Sequence, residues 1–172
     1  ASPRPAFPAL VFLYPMPRRG LLSDTHGWLD PRIRQHFDQC DEIWHAGDIG
    51  PEVAEELARW KPLKAVYGNI DDARTRAAFP EHQHFTAEGV RVWMTHIAGK
   101  PPRYTPEVLK ELRTTATDLF ICGHSHICAV QFDAAVNCLY MNPGAAGRHG
   151  WHQVRTLLRF SLEAGKVKDL EV

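Results

Sequence analysis

The stretch LFICGHSHIC, residues 119–128, places two histidines one residue apart where a run of apolar residues breaks at Gly123. A short apolar run that ends at a glycine predicts a buried strand that terminates there. Taken alone, His124 and His126 are explained by a polar turn. Whether they form a site depends on what the other strands of the chain carry at their ends.

Four earlier apolar runs have the same form and alternate with amphipathic segments. The five predicted strands are RGLLSD (19–24), DEIWHAGD (41–48), LKAVYGN (63–69), VRVWMTH (90–96) and DLFICGH (118–124). Helices are predicted over residues 31–40, 51–60 and 105–116, and Pro31 and Pro51 stand at the first helical position of two of them. Such alternation predicts parallel strands joined by crossover helices.

The second half of the chain is predicted to be rich in strands. Glu88-Gly89 predicts a tight hairpin turn into the fourth strand. Apolar runs over residues 128–133, 137–144, 155–163 and 166–172 follow the last predicted helix, and no linker or repeat separates them from the first half. A mixed α/β domain with two sheets, largely antiparallel in its second half, is therefore expected.

Composition excludes several classes of protein. The formal net charge is zero, so there is no strong electrostatic footprint for nucleic acid or an anionic membrane. No stretch approaches the roughly 20 apolar residues of a membrane helix. The four cysteines form no CxxC pair, which favours reduced, buried thiols in a cytoplasmic protein. A single domain is expected over residues 16–172, with residues 1–15 as a dispensable N-terminal extension.

All five predicted strands end in side chains that can bind a metal ion: Asp24 with His26, Asp48, Asn69 with Asp71, His96, and His124 with His126. Each motif alone has an ordinary structural explanation as a helix cap, a turn or a core histidine. The carboxyl ends of parallel strands, however, lie along one edge of a sheet, where ligands bind. Five successive ends with such donors favour a shared site.

The donor types indicate the kind of site. Carboxylates, imidazoles and a carboxamide without thiolates suit Mn, Fe, Ni or Zn ions rather than a structural cysteine-rich zinc site. Seven donors exceed what one tetrahedral ion takes. Two ions about 3.5–4 Å apart, bridged by one carboxylate and a water, would use all of them and would clamp the oxygens of a phosphoryl group.

The motifs SDTHG, HAGD, GNID, TH and GHSH, in this order, resemble those of the calcineurin-like metallophosphoesterases, in particular their small single-domain phosphodiesterase branch. The resemblance runs from about Arg18 to NPGAAG (142–147). It implies a four-layer α/β/β/α sandwich of two mixed β-sheets flanked by helices. It further implies that one metal ion is held by Asp24, His26 and His126 and the other by Asn69, His96 and His124, with Asp48 as the bridge.

The resemblance also implies a reaction. A hydroxide that bridges two divalent ions, Mn foremost, would attack the phosphorus of a small phosphodiester substrate. A noncatalytic protein-binding scaffold of the same fold is the alternative, although such scaffolds tend to have lost metal-binding histidines. A phosphomonoesterase is a third possibility, but no motif predicts the cationic clamp that a dianionic substrate needs. The sequence leaves a homo-oligomer open.

Three departures from the family pattern affect the substrate side. Ile70 stands where many members have a histidine that protonates the leaving oxygen, which predicts weaker activity or better leaving groups. Ile97 and Ala98 separate His96 from Gly99, which changes a common His-Gly motif.

The third departure is the loop after NPG, which reads AAGRHGWH. Arg148 is the candidate for substrate binding, and His149 and Asp71 are the candidates for a replacement acid. His152 is a further candidate for a phosphate contact. A solvated loop is the more ordinary explanation of each of the three loop residues. Trp28 and Trp151 either stack on a substrate ring or pack against the fold.

Overall fold

The computed structural model describes residues 16–172, so the predicted extension over residues 1–15 lies outside the described part of the chain. Twelve strands and four helices follow one another along the described residues. In chain order they are β1 (Arg18–Leu22), α1 (Ile33–Phe37), β2 (Glu42–His45), α2 (Pro51–Trp60), β3 (Leu63–Ala65), α3 (Ala73–Ala78), β4 (His82–Ala87), β5 (Val90–Thr95), β6 (Gly99–Lys100), β7 (Arg103–Tyr104), α4 (Pro106–Thr114), β8 (Leu119–Ile121), β9 (Cys128–Asp133), β10 (Cys138–Pro143), β11 (Leu158–Glu163) and β12 (Lys166–Glu171).

The strands form two five-stranded mixed sheets and one small hairpin. The first sheet has the order β12-β11-β1-β2-β3 and the second the order β4-β5-β8-β10-β9, while β6 and β7 pair with each other. Strands β1, β2 and β3 are parallel, as are β5, β8 and β10, whereas β4, β9, β11 and β12 pair antiparallel with their neighbours. Parallel strands at the centre of both sheets bring their carboxyl ends to one edge.

The two sheets pack face to face, and helices cover their outer faces. Leu21 and Trp44 of the first sheet meet Met94 and Ile121 of the second in one buried cluster. Leu22, the next residue along β1, points the other way and packs with residues of α1 and α2. This alternation is the period of two expected of a strand buried on both faces.

The second sheet is covered in the same manner. Val108 and Leu112 of α4 pack with Trp93, Phe120 and Tyr140 on its outer face. The layers are therefore helix, sheet, sheet, helix, and the predicted four-layer α/β/β/α sandwich of two mixed β-sheets is confirmed.

Some element bounds differ from those predicted. The first helix begins at Ile33 rather than at Pro31, because residues 30–34 first form a turn in which Ile33 N–H donates to the Asp30 carbonyl at 2.9 Å. Helix α3 and the hairpin of β6 and β7 were not predicted. Six and two residues respectively are too short to show a periodic pattern.

Other predictions hold. Ala87 pairs with Val90 across the Glu88-Gly89 turn, and both turn residues have positive φ, 44° and 79°, as a type I′ hairpin requires. The four cysteines are free, and three of them are buried. Within residues 16–172, no helix has the length and apolar character needed to cross a bilayer.

Candidate metal centre

The predicted donors lie at the shared carboxyl edge of the two sheets, in loops that hydrogen-bond to one another. Asp24 N–H donates to the Gly47 carbonyl at 3.0 Å, which joins the loops after β1 and β2. Gly123 N–H donates to the His96 carbonyl at 3.0 Å and joins the loops after β8 and β5. His124 N–H donates to Asp24 Oδ2 at 3.1 Å, so the edge is continuous across both sheets.

One group of donors comprises Asp24, His26 and His126, whose ligand atoms all lie within 4.8 Å of one another. His126 Nε2 is 3.2 Å from Asp24 Oδ1, and His26 Nε2 is 3.8 Å from the same oxygen. The two imidazole Nε2 atoms are 3.5 Å apart. Three donors thus face a common point, with Asp24 and His26 from the first sheet and His126 from the second.

A second group comprises Asp48, His96 and His124, again within 4.8 Å of one another. His96 Nε2 is 3.1 Å from Asp48 Oδ2, and the rings of His96 and His124 are 5.3 Å apart. Asp48 Oδ2 is also 3.9 Å from His26 Nε2, so this carboxylate lies between the two groups. That is the position which the resemblance assigns to a bridging ligand.

Asn69, the predicted seventh donor, is exposed and lines the same cleft as His96. The following residue, Ile70, donates its backbone N–H to Asp48 Oδ1 at 2.8 Å. Asn69 is therefore placed beside the second group.

The donor atoms fit a pair of divalent cations. Asp24 Oδ1 and His96 Nε2 are buried and have no hydrogen-bond partner, an arrangement that is costly unless a ligand binds there. His96 Nδ1 lies 2.7 Å from the Ala46 carbonyl, to which it donates, so Nε2 of the neutral ring carries a lone pair. An orphaned carboxylate oxygen and an orphaned imidazole nitrogen 3.9 Å apart are a suitable start for cation binding.

Burial dominates the electrostatics of the site. It raises the pKa of Asp24 and lowers the pKa values of His26, His124 and His126, which favours the neutral imidazole that a metal ion requires. Burial also opposes the charged form of His96, but the Asp48 and Asp24 carboxylates outweigh it and raise the pKa of this ring. The two carboxylates and the imidazole are therefore electrostatically coupled across the donor groups.

The backbone is unusual at the same positions. Residues Asp24, His26, Asp48, His124 and His126 have φ values between 47° and 65°. The left-handed region is costly for residues with a side chain, by about 1–3 kcal/mol each, and persists where surrounding structure enforces it. Within residues 16–172, five of the nine non-glycine residues of positive φ are predicted donors, so strain is concentrated at this edge.

Two residues that sequence reasoning missed support the first group from beneath. His45, fully buried, accepts the Gly47 N–H at Nδ1 and must therefore donate from Nε2 to Thr25 Oγ1, 3.0 Å away. The Thr25 hydroxyl donates in turn to the Ile49 carbonyl at 2.8 Å. This chain orients the loops that carry Asp24 and Asp48, and burial lowers the pKa of His45 to about 3. The only signal in the sequence was a histidine inside an apolar strand.

Asp71, a candidate acid, is bound to the backbone of two loops. Its Oδ1 accepts the N–H groups of Ile49 and Gly50 at 2.8 and 2.9 Å, and its Oδ2 accepts that of Gly68 at 2.8 Å. Both carboxylate oxygens are therefore occupied by backbone donors. The structure thus places Asp71 as a clamp between the loops after β2 and β3.

The loop after β10 lies against the first group. The His149 ring is 5.0 Å from that of His26, and the His152 ring is 5.3 Å from that of His126. His152 Nε2 donates to the Gly147 carbonyl at 2.9 Å, and its Nδ1 is buried without a partner. His149 is exposed and free to reach a substrate.

The two tryptophans have different environments. The Arg148 guanidinium stacks on Trp28 at 3.7 Å from the ring centre, and Arg155 lies 5.2 Å from the same ring. Trp28 therefore packs against the loop after β10, and Arg148, the predicted substrate contact, is held beside the centre by this stack. Trp151 is fully exposed.

Comparison with known proteins agrees with the family that the sequence motifs resemble. The family model for the calcineurin-like phosphoesterase superfamily domain matches residues 18–165. A comparison with curated protein sequences gives no match.

Several solved structures share the fold. Vps29 from Chaetomium thermophilum is 16% identical with a TM-score of 0.69, and the match covers 86% of this chain and 85% of that one. Vps29 from Entamoeba histolytica in complex with Zn²⁺ is 17% identical with a TM-score of 0.65, covering 90% and 97%. An archaeal phosphodiesterase is 21% identical with a TM-score of 0.67, covering 88% and 97%. At these identities the likeness concerns the fold.

Proposed function

The chain belongs to the calcineurin-like phosphoesterase superfamily, and from that membership we propose that it is a metal-dependent phosphodiesterase acting on small phosphodiesters. The observation that carries the proposal is the meeting of two donor groups at one edge, with Asp24 Oδ1 and His96 Nε2 buried and unpartnered between them. A protein-binding scaffold of the same fold would have no need of such atoms. Retention of both groups favours the enzyme.

We assign each cation to its own set of ligands. We propose that Asp24, His26 and His126 hold one cation, that His96, His124 and Asn69 hold the other, and that Asp48 contacts both. When bound, such ions supply an acidified water as nucleophile and neutralise charge on the phosphoryl oxygens. His45 and Thr25 hold the two carboxylate-bearing loops in register, and the Asp71 clamp holds the loop of Asn69.

The surroundings of the site favour a diester over a monoester. A monoester carries two negative charges and is best bound by a free cationic clamp. Arg76 donates to the carbonyls of Asp71 and Asn69, and Arg155 pairs with Asp30. Arg148, stacked on Trp28 through the face of its guanidinium, would be a single cation rather than a clamp. A monoanionic phosphodiester requires less positive charge, so it is the better substrate for this site.

Mn²⁺ is the proposed ion, with Fe, Ni and Zn as alternatives of the same donor preference. We also propose a cytoplasmic location, because all four cysteines carry free thiols, which suit a reducing compartment.

Hydrolysis of bis(4-nitrophenyl) phosphate by the Mn²⁺-loaded protein tests the proposal. We expect turnover that chelation abolishes and that Asp48→Asn lowers by at least about 100-fold, since the change removes a charge shared by both donor groups. Asp72→Asn is the matched control, because Asp72 is exposed and caps α3 by accepting the Thr75 N–H, which asparagine also does. No turnover in the native protein would refute the enzyme and favour the scaffold, and an unaltered rate in Asp48→Asn would show that the hydrolysis does not take place at this centre.

A further inference from the structure

We propose that exposed apolar side chains around the candidate metal centre bind the two organic groups of a phosphodiester, so that the preferred substrate is apolar or aromatic on both ester arms. The apolar rim is defined as Ile70, Ile97, Ile127 and Trp151. This inference rests on the proposed function and specifies its substrate class.

The rim residues are far more exposed than apolar side chains of their size usually are. The exposed fractions are 67% for Ile70, 44% for Ile97, 60% for Ile127 and 102% for Trp151. Isolated exposed apolar residues are ordinary on protein surfaces. Here, however, three of the four directly follow a predicted metal ligand in the chain, and the fourth lies in the loop that covers the centre.

Ile70 and Ile97 form one flank of the rim. The backbone N–H of Ile70 donates to Asp48 Oδ1 at 2.8 Å, which brings this residue into direct contact with the second donor group. Ile97 follows His96 and lines the same cleft as His96 and Asn69. Two of the three departures from the family pattern, Ile70 and Ile97, therefore lie beside the same half of the centre.

Ile127 and Trp151 form the other flank. Ile127 follows His126, whose Nε2 is 3.2 Å from Asp24 Oδ1. Trp151 follows Gly150, where an added Cβ would overlap the imidazole of His126. The loop can therefore approach His126 only because residue 150 is glycine, and Trp151 is the next residue along the chain, with its indole ring exposed.

A charged centre between two apolar flanks fits an amphipathic anion. A phosphodiester has one negative charge at phosphorus and an organic group on each side, whereas a phosphomonoester has one organic group. Isoleucine and tryptophan side chains gain free energy by covering apolar or aromatic surface. The absence of a histidine at residue 70 adds to the match, because aryloxide leaving groups depart without protonation by an acid.

Calorimetric titration with two stable anions separates this inference from catalysis. Diphenylphosphinate has two phenyl arms and no ester bond to hydrolyse, and dimethylphosphinate has the same charged centre with minimal arms. We expect the metal-loaded protein to bind the diphenyl anion roughly 10- to 100-fold more tightly. Trp151→Ala and Ile70→Ser should each reduce this preference about fivefold and leave dimethylphosphinate binding unchanged.

Phe132→Ala is the control, because Phe132 is 58% exposed on β9 and pairs with Leu139 at the end of that strand away from the centre. Its preference for the diphenyl anion should equal that of the native protein. If the protein hydrolyses bis(4-nitrophenyl) phosphate but binds both anions equally well, the rim proposal is refuted and the proposed function stands. If the native protein neither binds these anions nor hydrolyses bis(4-nitrophenyl) phosphate, both the proposed function and the rim proposal are refuted.

Discussion

Ile70 is the residue with the most direct chemical consequence. Its side chain carries no proton to give, and both carboxylate oxygens of the neighbouring Asp71 are occupied by backbone N–H groups. A leaving oxygen must therefore depart as the anion. We expect the turnover of 4-substituted phenyl methyl phosphates to fall roughly five- to tenfold for each unit of leaving-group pKa, measured at a fixed Mn²⁺ concentration.

The variant Ile70→His tests the same point, because it introduces the histidine that many members of the family have at this position. The variant should flatten the dependence while leaving the fastest substrates little changed. A flat dependence in the native protein would contradict the prediction and would mean that another acid acts, with His149, exposed 5.0 Å from the His26 ring, and Asp71 as the candidates.

The protonation of one side chain, His45, affects the stability of the whole site edge. Its pKa is lowered to about 3 by burial, whereas in the unfolded chain it titrates near 6.5. Above pH 6.5 the ring is neutral in both states and the stabilising hydrogen bonds are intact. Below pH 6.5 the unfolded chain binds a proton that the folded protein excludes, so stability falls as the pH approaches 3.

Chemical denaturation of the metal-free protein at pH 7 and pH 5 measures this effect. His45→Gln keeps an acceptor for the Gly47 N–H and a donor for Thr25 but cannot titrate. The native protein should lose up to about 1.4 kcal/mol more per pH unit than His45→Gln below pH 6.5. Parallel pH profiles for the two proteins would show that His45 does not carry the dependence.

At the scale of elements, two loops are held together by one carboxylate. Asp71 accepts N–H groups from the loop between β2 and α2 and from the loop between β3 and α3. Asp71→Asn replaces one acceptor oxygen by a donor amide, so one backbone N–H loses its partner. We expect a loss of about 1–3 kcal/mol in unfolding free energy and weaker metal binding.

The same variant distinguishes a clamp from a catalytic acid. A clamp predicts that the dependence of rate on leaving-group pKa stays unchanged in Asp71→Asn, while the Mn²⁺ concentration for half-maximal activity rises. Asp72→Asn, on the neighbouring residue, should change neither quantity. A steeper leaving-group dependence with unaltered metal affinity would instead make Asp71 an acid.

The elements also show how far sequence reasoning reaches. The strands were predictable because they are buried on both faces, and α2 was predicted over the ten residues it occupies, since Pro51 and its apolar stripe mark both ends. Bounds were less accurate at α1, where the Asp30 turn precedes the helix. Short elements such as α3 leave no periodic signal.

The candidate site, like the fold, could be predicted from the sequence only in part. The donor residues were predictable, since titratable groups at strand ends interrupt the apolar pattern. Their supports were not, because hydrogen bonds such as that between His45 and Thr25 join residues 20 positions apart through a geometry that only the folded loops create. The left-handed backbone at Asp24 and Asp48 is equally invisible in the sequence.

For the whole molecule, the centre lies where the two sheets meet, and each donor group takes residues from both. Asp24 and His26 follow β1 of the first sheet while His126 follows β8 of the second; Asp48 follows β2 of the first while His96 and His124 follow β5 and β8. A cation in either group would therefore connect the sheets as well as bind substrate. In its absence, the buried carboxylates and the strained loops oppose the packing of this edge.

This placement predicts that metal binding stabilises the entire fold. At a Mn²⁺ concentration about 100 times the dissociation constant, each of the two sites adds about 2.7 kcal/mol, and the two together raise the unfolding temperature of a domain of this size by roughly 10–20 °C. Thermal unfolding followed by circular dichroism, with Mn²⁺ and with chelator, measures the shift. His126→Ala and His124→Ala should each retain about half of it, since each removes a ligand from a different group, and Phe132→Ala should retain all of it. An unfolding temperature that Mn²⁺ leaves unchanged would show that the two sheets are not joined through bound ions.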